Sequence, residues 1–276
     1  MSKFPISIAS YSFHNMLAEG RIDVFGYLEL LASRYRVQYA DIWSGFLPTL
    51  DEDFLRKVRQ EMDRRGLSLA NLCVDGPHLW EDDPEVRKKH DALAMEYIKA
   101  GKILGARTIR IDMGCHQDDL SEEAFDYIVE HYRKYAQICY DEGMLIGPEN
   151  HWGASRRPYN LKRVLEAVNH PAYGHLLHFE NFKEDRELGY ETVIPVAMHT
   201  HIAANTIPVA KDIIRRLILT GYKGTFSVEH HSGHFELERV EWQLACVRCI
   251  LAELEEDGLQ EPVKPDYFQT IYYQNK

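Results

Sequence analysis

The chain has 276 residues, 45% of them apolar, which is enough for one large domain with a substantial core. A formal net charge of −11 argues against a protein that lives on nucleic-acid phosphates, though not against a small anionic substrate held by one or two arginines. The N-terminal "MSKFPISIASYSF" lacks the apolar length and cleavage pattern of a signal peptide, and no apolar run reaches the ~20 residues of a membrane helix. Five scattered cysteines (Cys73, Cys115, Cys139, Cys246 and Cys249) predict reduced thiols and a cytoplasmic location.

In chain order, short β-prone runs alternate with helical patterns. A strand is predicted at "ISIASYS" (6–12), then a helix at "DVFGYLELLASRY", whose Asp is placed to cap it. The second strand, "VQYADIW" (37–43), leads into "DEDFLRKVRQEMDRRG", with acids at its start, bases toward its end and a closing Gly. Strands at "LSLANLCV" (67–74) and "RTIRIDMG" (107–114) precede and follow the helical "DDPEVRKKHDALAMEYIKAGKILG". The second half adds strands at "MLIGPEN" (144–150), "HLLHF" (175–179), "PVAMHTHI" (195–202) and "TFSVEH" (225–230). Helices are predicted at "SEEAFDYIVEHYRKYAQICYDEG", "NLKRVLEAVNH", "PVAKDIIRRLILTG" and "ELERVEWQLACVRCILAELEEDG", with the weakest pattern in "KEDRELGYETV". Cys246 and Cys249 form a C-x-x-C within the last of these, without a second ligand pair, and read as packing or surface cysteines.

Eight strands alternating with helices predict a single (β/α)₈ TIM barrel over residues 1–258. A Rossmann fold would want a G-x-G-x-x-G turn after the first strand, and none is present. Residues 259–276 form an aromatic-rich tail, expected to pack on the barrel or on a neighbouring subunit of a homo-oligomer.

A barrel of this kind carries its site at the C-terminal ends of the strands, where polar side chains collect in this sequence. The fifth strand finishes at Glu149-Asn150-His151, the sixth at His178 with Glu180 and Asn181 beyond, the seventh at His199-Thr200-His201 and the eighth at Glu229-His230-His231. Period-two alternation lets one inward side chain per strand converge: Glu149, His178, His201 and Glu229. Each alone reads more readily as a solvated loop residue or a satisfied hydrogen-bonding group; it is the four together that suggest a metal. Carboxylate and imidazole ligands suit Mn²⁺, Zn²⁺, Co²⁺ or Fe²⁺, and the lack of thiolates argues against a closed structural zinc site.

The segments "PENHWG", "HFENF", "HTHI" and "SVEHH", with "ILGARTIRIDMG" and "DEGMLIGPENH" before them, resemble the xylose-isomerase-like sugar isomerase/epimerase superfamily over nearly the whole chain. That group includes ketose 3-epimerases, inosose dehydratases and, more remotely, endonuclease IV. The resemblance implies metal ligands at Glu149, His201 and Glu229. At the sixth strand the family's usual Asp is replaced by His178, with Glu180 as its rival. The Lys-Asp pair that follows the seventh-strand histidine in many relatives is replaced by Ala203-Ala204-Asn205, so no substrate identity carries over.

The expected function is a divalent-metal-dependent isomerase or epimerase acting on a keto-sugar or sugar derivative through a metal-stabilised enediolate. Glu149 and Glu229 serve as base and acid, and the cofactor is one divalent ion, Mn²⁺ first, then Zn²⁺ or Co²⁺. The nearest alternative is a metal-dependent dehydratase or lyase acting on a keto-inositol or oxidised (3-keto) glycoside; a non-catalytic sugar-binding barrel is the third reading. Expected substrate contacts are His151, Asn181, His116, His231, His78 and Trp43, with His14 at the mouth and Asp41 a further candidate. Arg110 and Asp112 share parity and are expected to pair. Arg156 and Arg157 are candidates for an anionic group, although a solvated loop suits them as well. The charge excludes nucleic acid as a partner.

Overall fold

A computed structural model describes residues 3–259. The tail expected at 259–276 lies outside the described residues apart from Leu259. Eight parallel strands are present: β1 (Ile6–Ala9), β2 (Tyr39–Trp43), β3 (Ser68–Val74), β4 (Thr108–Ile111), β5 (Leu145–Gly147), β6 (His175–His178), β7 (Ala197–Ala203) and β8 (Phe226–Glu229). Their order runs β5-β4-β3-β2-β1-β8-β7-β6, so β1 pairs with both β2 and β8. The helices are α1 (His14–Ala18), α2 (Val24–Glu29), α3 (Glu52–Arg64), α4 (Pro84–Leu104), α5 (Glu122–Asp141), α6 (Pro158–Val168), α7 (Arg186–Val193), α8 (Ile207–Leu219) and α9 (Glu236–Glu256). The chain is therefore a single TIM barrel. No described helix is long and apolar enough to cross a membrane.

Local chemistry explains most boundaries. Asp23 caps α2 by accepting from the Gly26 amide at 2.8 Å, and Ser121 caps α5 through the Ala124 amide at 3.1 Å. Gly105 closes α4 at φ +71°, a conformation that costs glycine no steric strain. Several strands are shorter than their β-prone runs. The first stops at Ala9, because Ser10–Phe13 turn into a 3-10 helix that leads straight into α1. The fourth stops at Ile111 and the fifth at Gly147, where Pro148 has no amide to donate.

The barrel closes between β5 and β6 more sparsely than elsewhere. Two isolated bridges, Ile146 with Tyr173 and Glu149 with Leu176, are joined by three backbone bonds: Ile146 N to Ala172 O, Gly174 N to Ile146 O and Leu176 N to Pro148 O. The backbones run so close that a Cβ at Gly147 would stand 1.7 Å from the Gly174 carbonyl oxygen. Beyond Pro148 a side chain continues the seam: the Asn150 amide donates to His178 O at 2.8 Å and accepts from His178 N at 2.7 Å.

Alternation along the strands divides the core into two chemistries. Ile8, Ile42, Leu72, Ile109 and Val228, all fully buried, alternate with Ser7, Asp41, Asn71, Thr108 and Ser227, which are buried too. Asp41, Asn71, Thr108 and Ser227 are hydrogen-bonded to one another, and Ser7 to Thr225, across the barrel interior, where apolar branched side chains are the usual filling.

Candidate metal centre

Glu149, His178, His201 and Glu229 converge at the C-terminal end of the barrel, one donor atom from each lying within 4.8 Å of the others. β6 and β7 are in register at His178 and His201, which brings these two rings together. Glu149 sits two residues past β5, anchored by the bridge to Leu176. Glu229 ends β8, and its carbonyl accepts from the Gln243 amide on α9. The rival sixth-strand residue, Glu180, turns away at φ +61° and is engaged by Tyr190 at 2.6 Å and by Arg186. The structure thus brings His178 into the cluster and leaves Glu180 out.

The four are nearly or wholly buried. Glu149 Oε1 lies 2.9 Å from His178 Nδ1 and 3.4 Å from His201 Nδ1, while Glu229 Oε2 lies 3.3 Å from His201 Nδ1. Three atoms in this space, Glu149 Oε2, Glu229 Oε2 and His201 Nδ1, are buried without a hydrogen-bond partner. Arg110 Nε stands 3.2 Å from Glu149 Oε2, and His231 Nε2 stands 2.9 Å from Glu229 Oε2, both as ion-pair contacts without hydrogen-bond alignment. Two carboxylates and an imidazole lone pair facing one another out of water need positive charge between them, so the donor set fits a divalent cation.

Beneath this cluster lies Asp41, which sequence reading placed near the mouth and which has no exposed surface. Its Oδ2 accepts from His201 Nε2 at 3.0 Å, His199 Nε2 at 2.8 Å and Ser227 Oγ at 2.8 Å; Oδ1 accepts from Asn71 at 2.9 Å. Trp43, not Asp41, is the strand residue that reaches the cavity. Burial favours the neutral acid at Asp41, yet the His199 and His201 contacts outweigh it and hold the carboxyl well below its usual range. An ionised carboxylate only accepts, so His201 carries its proton on Nε2 and turns the Nδ1 lone pair toward the glutamates.

The same opposition of burial and neighbouring charge governs the glutamates. Burial raises their pKa, and the surrounding imidazoles overcome it: His151 and His201 chiefly at Glu149, which falls well below the ordinary value, and His201 chiefly at Glu229, lowered to about 2. For His201, burial lowers the pKa, but Glu229, Glu149 and Asp41 raise it well above normal. Without an ion, Nδ1 therefore also holds a proton, and a cation bound there would replace it and use the lone pair.

Two other acid–histidine groups lie nearby, and their contacts argue against a cation in either. Asp41, His199 and His201 are already bonded to each other. Asp75, Asp112 and His151 enclose the Arg110 guanidinium, which donates to Asp75 at 2.7 Å and to Asp112 at 3.1 Å, the latter being the pairing expected from parity. Asp112 also accepts from His151 Nδ1 at 2.8 Å and Trp152 Nε1 at 3.0 Å.

The cluster opens into a cavity of about 480 Å³. Of the expected substrate contacts, Trp43, His151, Asn181 and His231 line it. His78 and His116 do not: each packs against Trp152 with ring centroids 4.8 Å apart, and His116 projects mostly into solvent. His14 also stays outside the lining, its Nδ1 bonded to Tyr11 O and its ring stacked on Tyr11. Arg157 pairs with Glu184 and Asp119, and Arg156 Nε donates to the Asn181 carbonyl, so neither lines the cavity. Residues not anticipated as lining include Tyr11, Asp75 and Asn205. Asp75 directly follows β3, so the strand-end rule that picked out the glutamates would have found it. Tyr11 sits in a turn that the β-prone run concealed.

The fold and site together define a (β/α)₈ barrel with a carboxylate–imidazole cluster at the carboxyl ends of its strands. The sequence profile of the xylose isomerase-like TIM barrel family matches residues 25–248, and the chain belongs to that family. No curated protein matches it in sequence. Solved structures similar in fold include a D-tagatose 3-epimerase-like protein (14% identity, TM-score 0.73, covering 92% of this chain and 99% of that one). Another is the probable 3-DHS dehydratase AsbF, involved in petrobactin synthesis, from Bacillus anthracis (13%, 0.69, 89% and 99%). A third is a xylose isomerase-like TIM barrel protein from Mycobacterium smegmatis in complex with magnesium (17%, 0.67, 90% and 98%).

Proposed function

We propose that the chain is a divalent-metal-dependent isomerase or epimerase of a keto-sugar or sugar derivative, with Glu149, His178, His201 and Glu229 as the metal ligands. The observation that carries this reading is the set of buried donor atoms without hydrogen-bond partners, two carboxylate oxygens and one imidazole nitrogen, within the cluster where the four side chains converge. Mn²⁺ is the first candidate and Zn²⁺ or Co²⁺ the next, because two imidazoles in the set favour metals softer than Mg²⁺. When bound, such an ion supplies positive charge beside the substrate's carbonyl and hydroxyl oxygens.

The residues perform the proton chemistry. One glutamate takes the proton from the carbon next to the carbonyl, and the C–H electron pair moves into the enediolate. The other glutamate returns a proton to the opposite face or to the neighbouring carbon. Arg110 Nε stands 3.2 Å from Glu149 Oε2 beside the imidazoles that keep this carboxylate ionised, and Asp41 fixes the His201 tautomer. Trp43, His151, Asn181 and His231 orient the substrate.

The test is solvent deuterium incorporation into a panel of keto-sugars by the Mn²⁺-loaded protein. Glu229→Gln should lower exchange by about 10²–10⁴-fold with an unchanged circular dichroism spectrum. Near-normal exchange in that variant would refute the assignment.

One observation favours elimination as a second reading. His151 lines the cavity with Nδ1 tied to Asp112; burial lowers its pKa, but Glu149 and Asp112 raise it to about 9, leaving a proton donor beside the proposed enediolate. A dehydratase or lyase would use it to protonate a departing hydroxyl or alkoxide. The same panel distinguishes the two, since elimination releases water or an alcohol and leaves an unsaturated ketone that absorbs in the ultraviolet.

A further inference from the structure

No lysine or arginine charge among the described residues of the cavity wall is left unpaired. Arg110 is the one lysine or arginine among the described lining residues, and its guanidinium is spent on Asp75, Asp112, the Val74 carbonyl and the Cys73 sulfur. Asp75 and Asp112, one on either side of Arg110, more than answer its single positive charge, and His151 Nδ1 is tied to Asp112. Glu180 is answered by Arg186. Glu149 and Glu229 are answered by the proposed divalent ion. Nothing positive is left over. Arg156 and Arg157, the two arginines best placed in the sequence to hold an anion, are engaged outside the cavity.

What the wall offers instead suits a neutral, hydroxylated ligand. Tyr11 and Trp43 meet edge to face at 5.1 Å and present aromatic surface for the C–H face of a sugar. Asn205 supplies an amide and Asn181 its side-chain oxygen, its N–H groups being spent on the Asn150 and His151 carbonyls. Asp75 and Glu180, already bonded to Trp43, Arg110, Tyr190 and Arg186, keep further lone pairs for hydroxyl groups. A phosphate or carboxylate placed here would lose its hydration and gain no side-chain cation in return.

Building on the function proposed above, we infer that the substrate is an uncharged polyhydroxylated ketone, carrying neither phosphate nor carboxylate. The experiment compares matched pairs, fructose with fructose 6-phosphate and xylulose with xylulose 5-phosphate, on the Mn²⁺-loaded full chain. Binding is followed by tryptophan fluorescence, since Trp43 lies in the wall, and deuterium exchange is measured on the same samples. The expected result is at least tenfold tighter binding of the neutral member in a pair. Equal or tighter binding of the phosphate overturns the inference, as does a failure of every member to bind. The two readings fail separately: exchange into the phosphates alone keeps the reaction and discards the neutral substrate. Tight neutral binding with no exchange into any ketose keeps the substrate class and discards the reaction.

Discussion

Three donors meet on one oxygen of Asp41, and two of them are imidazoles. Asp41→Asn would put an amide donor or a weaker acceptor opposite His201, releasing its ring and tautomer. Metal affinity should drop about 10–100-fold, measured by Mn²⁺ titration calorimetry, whereas an unchanged affinity would reduce Asp41 to a packing residue. His175 makes a different prediction. Both its ring nitrogens are buried without partners, and burial alone lowers its pKa to about 3. The folded protein keeps this ring neutral while the unfolded chain binds a proton below about pH 6.5, so stability is lost as pH falls through that value. Between pH 7 and pH 5 the loss from this residue should be about 2 kcal/mol. Urea unfolding of wild type and His175→Leu at both pH values measures it; the same pH loss in both proteins would acquit His175.

Among the elements, the join of β5 and β6 depends most on a side chain. Pro148 removes one amide from the seam, and Asn150 replaces the missing strand continuation by bonding both backbone groups of His178. Asn150→Ala leaves the His178 amide without a partner and its carbonyl with only the Asn181 amide at 3.4 Å, at a cost of about 1–3 kcal/mol. Faster amide exchange across His175–His178 would locate that cost; exchange unchanged there would contradict it. This role was hidden in the sequence, where Asn150 follows Glu149 and reads as another site residue. The strands themselves were readable because each apolar run ends at a polar side chain on the barrel rim. Their ends were not, since the turns at Ser10 and Pro148 arise from packing and a missing amide rather than from a change in hydropathy. That His78 and His116 stay out of the cavity lining was hidden for a related reason: both pack on Trp152, a contact made between separate loops.

Across the whole molecule, the same alternation that reveals a barrel conceals what fills it. Asp41, Asn71, Thr108 and Ser227 look in sequence like the solvated face of ordinary strands, yet they are buried inside the ring and bonded to one another. Four of the residues predicted to meet do meet, because strand parity and parallel register fix which side chains share a rim. Depth within the barrel is what a linear pattern lacks, and it separated Trp43 in the wall from Asp41 below. The sparse seam has one more consequence. Glu149 and His178 stand on opposite sides of it, so an ion gripped by both would rivet the join that the fewest backbone bonds hold, and the barrel would have to open there to let it go. Departure of the ion would then be timed by that opening rather than by ligand strength. The rate at which a chelator strips the protein should level off as chelator concentration rises, and the plateau should share its temperature dependence with amide exchange along the seam.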